Sequence, residues 1–352
     1  MKTGEMGNFS VESLHWHPVA ESSEITGSKP SAAALMNQPL VLWRFENTGT
    51  VQAWADQCPH RGAQLSLGKV TNGRLECPYH GWQFAAGTGR CALVPSMPDF
   101  VPPASHAART FEVAEKYGLV WVRLAGRDAA ESVDLPDLPE FSAETDAALR
   151  KLNCGPYDVA TSAPRLVENF LDMAHFGFVH EAWLGDRNHT AIENYEVQAT
   201  PNGLIATGCK AWQPQSSIHA VAPALVEYRY EVTAPYAAVL TKIPDAKSLG
   251  GALAGSAFQE SIALFIAPLT PETSRVWFRL AVADFAAPAQ QLRDFQNTIF
   301  QQDKPVLESQ RPRCLPLQST ENSPKEVHVV TDKASAMYRK HLRQLGITFG
   351  VC

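Results

Sequence analysis

The chain has 352 residues, 45% of them hydrophobic and 19% charged, with a formal net charge of -6 and a pI near 6.0. That is an ordinary globular balance in a length suited to about two domains and a sizeable core. The acidic balance argues against nucleic acid as a partner, and no apolar run is long enough for a membrane-spanning helix. The start, MKTGEMGNFS, lacks the charged-then-apolar pattern of an export signal, so the cytoplasm is the expected address.

From Leu40 to Leu124 the chain reads as short strands separated by turns. PLVLWRF is apolar and β-prone, ENTG is a turn, and VQAWAD alternates. In KVTNGRLECP, Asn72-Gly73 sits between two strand-like runs, a strong hairpin signal. YGLVWVRL, residues 117–124, predicts a buried closing strand. AGRDAAESVDLPDLPEF then turns acidic and proline-bearing, as linkers do. The first domain is therefore expected over residues 1–125, a linker over 126–150 and a second domain over 151–352. There, PRLVENFLDMAHFGFVHEAWLG (residues 164–185) opens on Pro164 and predicts one helix. Residues 190–285 predict an antiparallel sheet, as in LVEYRYEVTA and SRVWFRLAVADF. RDFQNTIFQQDKPVLESQR has the apolar spacing of a long helix, which Pro305 should bend or break. DKASAMYRKHLRQLG predicts a last helix ending near Gly346. The fold class is α+β: a small all-β domain, then a mixed domain whose antiparallel sheet is flanked by helices.

Cys58 and His60 form C-x-H, Cys77 and His80 form C-x-x-H, and sixteen residues separate His60 from Cys77. Two loops joined by a hairpin could gather all four side chains around one inorganic centre. A structural zinc site accepts two cysteines and two histidines. Zinc fingers, however, usually put both cysteines on one element and both histidines on another. One of each per loop suits a binuclear centre in which one iron takes the thiolates and the other the imidazoles. C-P-H-R-G followed by C-P-Y-H-G-W resembles the Rieske 2Fe–2S motif, with Cys58, His60, Cys77 and His80 as ligands. The resemblance implies that the histidine-bound iron lies near the surface. Gly62 and Gly81 let the backbone wrap the centre, and Trp82 packs beneath the second loop. Among the other thiols, Cys91, Cys154, Cys209, Cys314 and Cys352 show no paired spacing and read as buried or free. His15 and His17 read as packing around Trp16.

ENFLDMAHFGFVH supplies Glu168, Asn169, Asp172, His175 and His180. Asp172 and His175, three apart, would share a helical face, whereas His180 would not. If both histidines bind one metal, the helix must end or bulge between them, and Gly177 offers a place. Two histidines lack the carboxylate of the facial triad found in non-haem Fe(II) oxygenases. From about Trp16 to Leu345 the chain is similar to the terminal oxygenase subunit of Rieske non-haem iron oxygenases. That resemblance implies iron held by His175, His180 and, from IFQQDKPVLESQRP, Asp303. Glu308 competes for the third place and reads better as an ion-pairing partner of a nearby Arg or Lys. Asp172 is implied to hydrogen-bond His175 and to reach His80 of a neighbouring subunit in a ring of three. Asn169 is implied to sit near the iron.

The same resemblance implies an enzyme fed from NADH or NADPH by a separate flavin and iron–sulfur reductase, with or without a ferredoxin. It would use dioxygen to oxidise a small aromatic or heterocyclic substrate. The compact length and the EN-x-x-D form look most like the demethylating monooxygenases, which include vanillate and dicamba O-demethylases and methylxanthine N-demethylases. Pocket residues are expected on the sheet between 200 and 285, including SIALFIAPL. Three rivals remain: a ring-hydroxylating dioxygenase producing cis-diols with the same metals, an electron-transfer Rieske protein of a different class, and a zinc-stabilised binding module.

Overall fold

The computed structural model describes residues 10–125, 135–243, 246–248, 250, 260–317 and 326–352. The chain divides into two units, Met1–Leu138 and Pro139–Cys352. Of the linker expected over 126–150, residues 126–134 lie outside the described residues.

The first unit is built from ten strands among the described residues: β1 (His17–Glu21), β2 (Ser31–Leu35), β3 (Gln38–Phe45), β4 (Thr50–Ala55), β5 (Lys69–Thr71), β6 (Arg74–Glu76), β7 (Gln83–Ala85), β8 (Cys91–Leu93), β9 (Thr110–Lys116) and β10 (Leu119–Arg123). Six pair in the order β1-β10-β9-β4-β3-β2, and four more as β5-β6-β7-β8. The predicted hairpin joins β5 to β6, with Asn72 and Gly73 at φ 51° and 70°. Its tight reversal carries the chain from one cysteine loop to the other. Val41, Trp43, Trp54, Leu65, Leu75 and Phe84 form one buried cluster that also contains Cys58 and Cys77. Full burial of each large apolar side chain contributes about 1.5–3 kcal/mol, so the core itself holds both thiols in position.

The second unit centres on a seven-stranded sheet: β11 (Arg150–Val159), β12 (Glu196–Thr200), β13 (Gly203–Gln213), β14 (Ala224–Ala234), β15 (Ala237–Ile243), β16 (Glu260–Thr270) and β17 (Thr273–Val282). Every pairing is antiparallel, in the order β11-β17-β16-β15-β14-β13-β12. In β14 burial alternates residue by residue, sending Val226, Tyr228, Tyr230 and Val232 to one face. The sheet begins earlier than the alternating pattern suggests. β11 pairs with β17, and its register shifts between Cys154 and Tyr157, where Gly155-Pro156 interrupts the alternation.

Among the described residues four α-helices complete the unit: α1 (Ala163–Leu171), α2 (Phe176–Val179), α3 (Ala289–Ser309) and α4 (Lys333–Leu345). α1 packs on β15 and β16, α3 on β11, and α4 on β12 and β13. The single helix expected over 164–185 is two. α1 ends at Leu171, because Asp172 turns to extended backbone and its Oδ1 accepts the Ala174 N–H at 2.8 Å. A short aspartate that binds its own backbone competes with helix continuation. The break therefore precedes His175 rather than falling at Gly177, which lies inside α2. α3 runs through Pro305 without ending there. Beyond the proline, Leu307 is buried and Glu308 Oε1 accepts the Ala160 N–H at 3.0 Å, anchoring the last turn. Glu308 also meets Lys304 at 3.8 Å, the ion pair expected of it. α4 ends at Gly346 as predicted.

Candidate metal centres

The two cysteine loops are near copies of one another. Cys58 N–H donates to Ala63 O at 2.8 Å and Gly62 N–H to Cys58 O at 2.9 Å. Cys77 N–H donates to Trp82 O at 2.8 Å and Gly81 N–H to Cys77 O at 3.1 Å. Each turn closes through a glycine in the left-handed region, Gly62 at φ 73° and Gly81 at φ 70°. The loops meet so that the His60 and His80 ring centroids are 4.7 Å apart, while Cys58 and Cys77 share one buried cluster. Both thiols are 2% exposed, whereas His80 is exposed and His60 half-buried. Sulfur lies inside and imidazole outside.

Three observations fit an inorganic centre here. Burial pushes the Cys58 thiol up to about 11, with Cys77 beside it adding to the shift, so two thiolates at this spot need a cation. His60 Nδ1 is buried with no hydrogen-bond partner among the described residues. Burial and the adjacent His80 also hold the His60 imidazole below its ordinary pKa, in the neutral form that ligates metals.

The second convergence lies where α1, α2 and α3 meet. His175 Nε2 and His180 Nε2 are 3.3 Å apart. Asp303 Oδ1 lies 3.4 Å from the first and 3.2 Å from the second. Among the described residues, these three form a group that could hold a metal ion. Their outer atoms are fixed. His175 Nδ1 donates to Asp172 Oδ2 at 3.1 Å, and His180 Nδ1 to Gln302 Oε1 at 2.8 Å. With both Nδ1 atoms protonated, both Nε2 lone pairs face a carboxylate oxygen. None of the three is then a donor to the other two, so they repel one another unless a cation sits among them. Burial alone would raise the Asp172 carboxyl, but hydrogen bonds from His175 and the Ala174 N–H outweigh it and keep its pKa low.

Neighbouring contacts set this geometry. Arg339 of α4 grips Glu168 with two bonds, Nε to Oε1 at 2.6 Å and Nη2 to Oε2 at 2.7 Å. That fork ties α1 in place one residue before Asn169. Asn169 Nδ2 then donates to Asp303 Oδ1 at 3.4 Å. His175, His180 and Asp303 open onto a cavity walled by Phe170, Phe176, Tyr228, Phe278, Phe295 and Phe300. Its cation among the described residues, Lys242, lies 3.7 Å from Glu260 and donates to the Ser216 carbonyl. Tyr230 also lines the cavity; its hydroxyl is buried without a hydrogen-bond partner among the described residues. Burial lifts its pKa well above the usual phenol range, so it stays protonated.

A 2-His-1-carboxylate set suits non-haem iron, and also zinc with an open position. Comparison with known proteins decides between them. Residues 15–112 match the Rieske [2Fe-2S] domain, and residues 159–346 match the vanillate O-demethylase oxygenase C-terminal domain. The chain belongs to the Rieske non-haem iron oxygenases. Members carry a [2Fe-2S] cluster and a mononuclear catalytic iron, and the residues described above fit both. Methylxanthine N1-demethylase NdmA of Pseudomonas putida is 31% identical over 350 residues, spanning 94% of this chain and 88% of that one. The dicamba O-demethylase oxygenase component of Stenotrophomonas maltophilia is 36% identical over 167 residues, 47% of each chain. The solved structure of Pseudomonas putida NdmA with caffeine superposes at a TM-score of 0.77, with 28% identity, over 95% of this chain and 90% of the other.

The structure brings the four cluster candidates together, and likewise His175, His180 and Asp303, with Asp172 and Asn169 in direct contact with that trio. Asp172 and His175 meet across a non-helical turn rather than on a helical face. Ile262 and Leu264, from the expected SIALFIAPL run, line the cavity, but α1 and α3 supply much of its wall. Sequence reasoning missed Gln302, the partner of His180. Its one signal was adjacency to Asp303.

Proposed function

We propose that this chain is the terminal oxygenase component of a multicomponent monooxygenase. It oxidatively removes a methyl group from nitrogen or oxygen of a small aromatic or heterocyclic substrate. Electrons come from NADH or NADPH through a flavin and iron–sulfur reductase; an oxidoreductase of Pseudomonas putida, NdmD, is 38% identical over 122 residues, 35% of this chain and 20% of its own length. The observation that carries this reading is the opening of His175, His180 and Asp303 onto an aromatic-walled cavity.

Cys58, Cys77, His60 and His80 would hold the [2Fe-2S] cluster, and His175, His180 and Asp303 the mononuclear iron. When bound, these groups supply one-electron transfer and the activation of dioxygen. The chain's own side chains do the rest. Asp172 and Gln302 keep the two Nε2 lone pairs turned inward, and Asn169 steadies the Asp303 oxygen. The phenyl walls stack on a flat ring and exclude water. Tyr230 O–H is available to donate a hydrogen bond to a polar substrate edge. Because Glu260 engages Lys242, a neutral ring fits this cavity better than an aryl carboxylate. Overall, a methyl group, dioxygen, two electrons and two protons give a carbinol and water. The carbinol then collapses to formaldehyde and the demethylated substrate. Asp172 has a side chain 34% exposed, and His80 is exposed, which supports a relay between neighbouring subunits of a homotrimer. No helix of the described residues is long and apolar enough to cross a membrane, and we place the protein in the cytoplasm.

The test is to supply reducing equivalents through a surrogate reductase and assay formaldehyde from methoxy- and N-methyl aromatics under labelled dioxygen. Formaldehyde with one labelled oxygen atom is expected. A cis-diol carrying two labelled atoms would instead assign the chain to the dihydroxylating branch.

A further inference from the structure

The reading above uses His60 and His80 as ligands and leaves two neighbouring rings, Trp82 and His106, unexplained. His60 stacks on Trp82 with centroids 4.5 Å apart and planes within 4°. Trp82 in turn stacks on His106, at 5.5 Å and 3°. The rings come from three separate segments: the first cysteine loop, the second, and the short 3-10 turn Ala104–His106. Trp82 is buried between two half-buried imidazoles, so the column links a cluster ligand to a second ring that also reaches the surface. Phe100, 38% exposed, lies 5.9 Å from His106 at the outer end. Beside it, a surface depression lined by Gln57, Pro59, Gly62, Ala107 and Arg109 reaches down to Cys58.

Offset parallel stacking contributes about 0.5–1.5 kcal/mol per pair beyond area burial, enough to hold ring planes in register. Electron tunnelling falls steeply with distance, and conjugated rings in contact shorten the gap. The cluster has two imidazoles. In the proposed assembly His80 faces the neighbouring subunit's Asp172, so an electron arriving from outside needs the other one.

We propose that Trp82 and His106 form the electron entry port of the Rieske unit, with the reductase's iron–sulfur domain seated on the depression beside His106. This rests on the assignment of Cys58, His60, Cys77 and His80 to the cluster. In each event the donor loses one electron and the cluster gains it, passing from diferric to mixed-valence; no bond is made or broken. Two events supply the two electrons of one turnover.

The test follows cluster reduction alone, anaerobically and without substrate, by stopped-flow visible absorbance. The probe is a plant-type [2Fe-2S] ferredoxin kept reduced by NADPH and its flavoprotein reductase, with dithionite as a small reductant that needs no docking. His106→Leu should slow reduction by the ferredoxin about tenfold or more, on the scale of other outer-shell losses. Its dithionite rate and midpoint potential should match those of the parent, and His106→Phe, which restores a ring, should recover most of the rate. An unchanged ferredoxin rate in His106→Leu would overturn the port, as would a shifted potential or equal slowing in both variants. Absence of a Rieske electron-paramagnetic-resonance signal in the parent protein would instead remove the cluster assignment itself.

Discussion

Two ring nitrogens, His175 Nδ1 and His180 Nδ1, decide which way the lone pairs of the second centre face. Their acceptors differ in chemistry, and so do the expected outcomes of removing them. Asp172→Asn keeps an amide oxygen for the His175 N–H but removes a charge from the surface where another subunit's His80 is proposed to dock. Iron should stay bound while reductase-driven formaldehyde release falls by about 10- to 100-fold or more. Near-parental turnover would end the bridging role. Gln302→Leu removes the only acceptor described for the His180 N–H and leaves a buried donor unpaired. Here iron affinity itself should drop, by about 10- to 100-fold, read as iron retained after dialysis against graded chelator. If the two variants behave alike, the separate duties given to the two acceptors are wrong.

At the scale of elements, the placement of His175 and His180 depends on a close approach between α2 and the chain that follows it. A Cβ on Gly185 would lie 2.2 Å from the Phe176 carbonyl carbon and 2.4 Å from the Gly177 nitrogen, and Gly185 N–H donates to His180 O at 3.2 Å. Backbone atoms cannot swing aside as a flexible side chain would. Gly185→Ala should therefore destabilise the second unit by about 1–3 kcal/mol and release its iron, while the cluster's visible spectrum persists. Thermal unfolding and iron-to-sulfide ratios measure both; full iron retention would contradict the packing argument. Nothing in the sequence marked Gly185, because the clash partner lies on a different element. The same limit explains other differences between pattern and structure. The strands around the cysteine loops were legible because each is an apolar or alternating run bounded by turns, and β11 was not, because Gly155-Pro156 breaks its period. The apolar run LDMAHFGFV suits a helix in composition, and it is one side chain, Asp172, that ends it. Ligand candidates were legible through residue type and spacing. Gln302 was not, since only tertiary folding of α3 against α2 makes it a partner of His180.

For the whole molecule, the two units would hold their metals by unlike means, and this predicts stepwise metal loss. Both thiols of the first site are 2% exposed and sit in one apolar core with Leu65, Leu75 and Phe84. Bridging sulfides would bind that centre covalently, so it should leave only when the core opens. The second site would rely on three neutral or singly charged donors beside a cavity, a set that leaves a bound iron with positions open to exchange. Anaerobically prepared protein should contain about three irons and two inorganic sulfides per chain. Brief treatment with a moderate chelator should lower this to about two irons with both sulfides retained and the visible spectrum unchanged. Formaldehyde release should vanish and then return on adding Fe(II), whereas reduction of the cluster by ferredoxin should be unaffected throughout. Zinc in place of the first three irons would dismiss both centres. Loss of sulfide in step with iron would mean that the cluster is no better protected than the mononuclear site, against the burial that separates them.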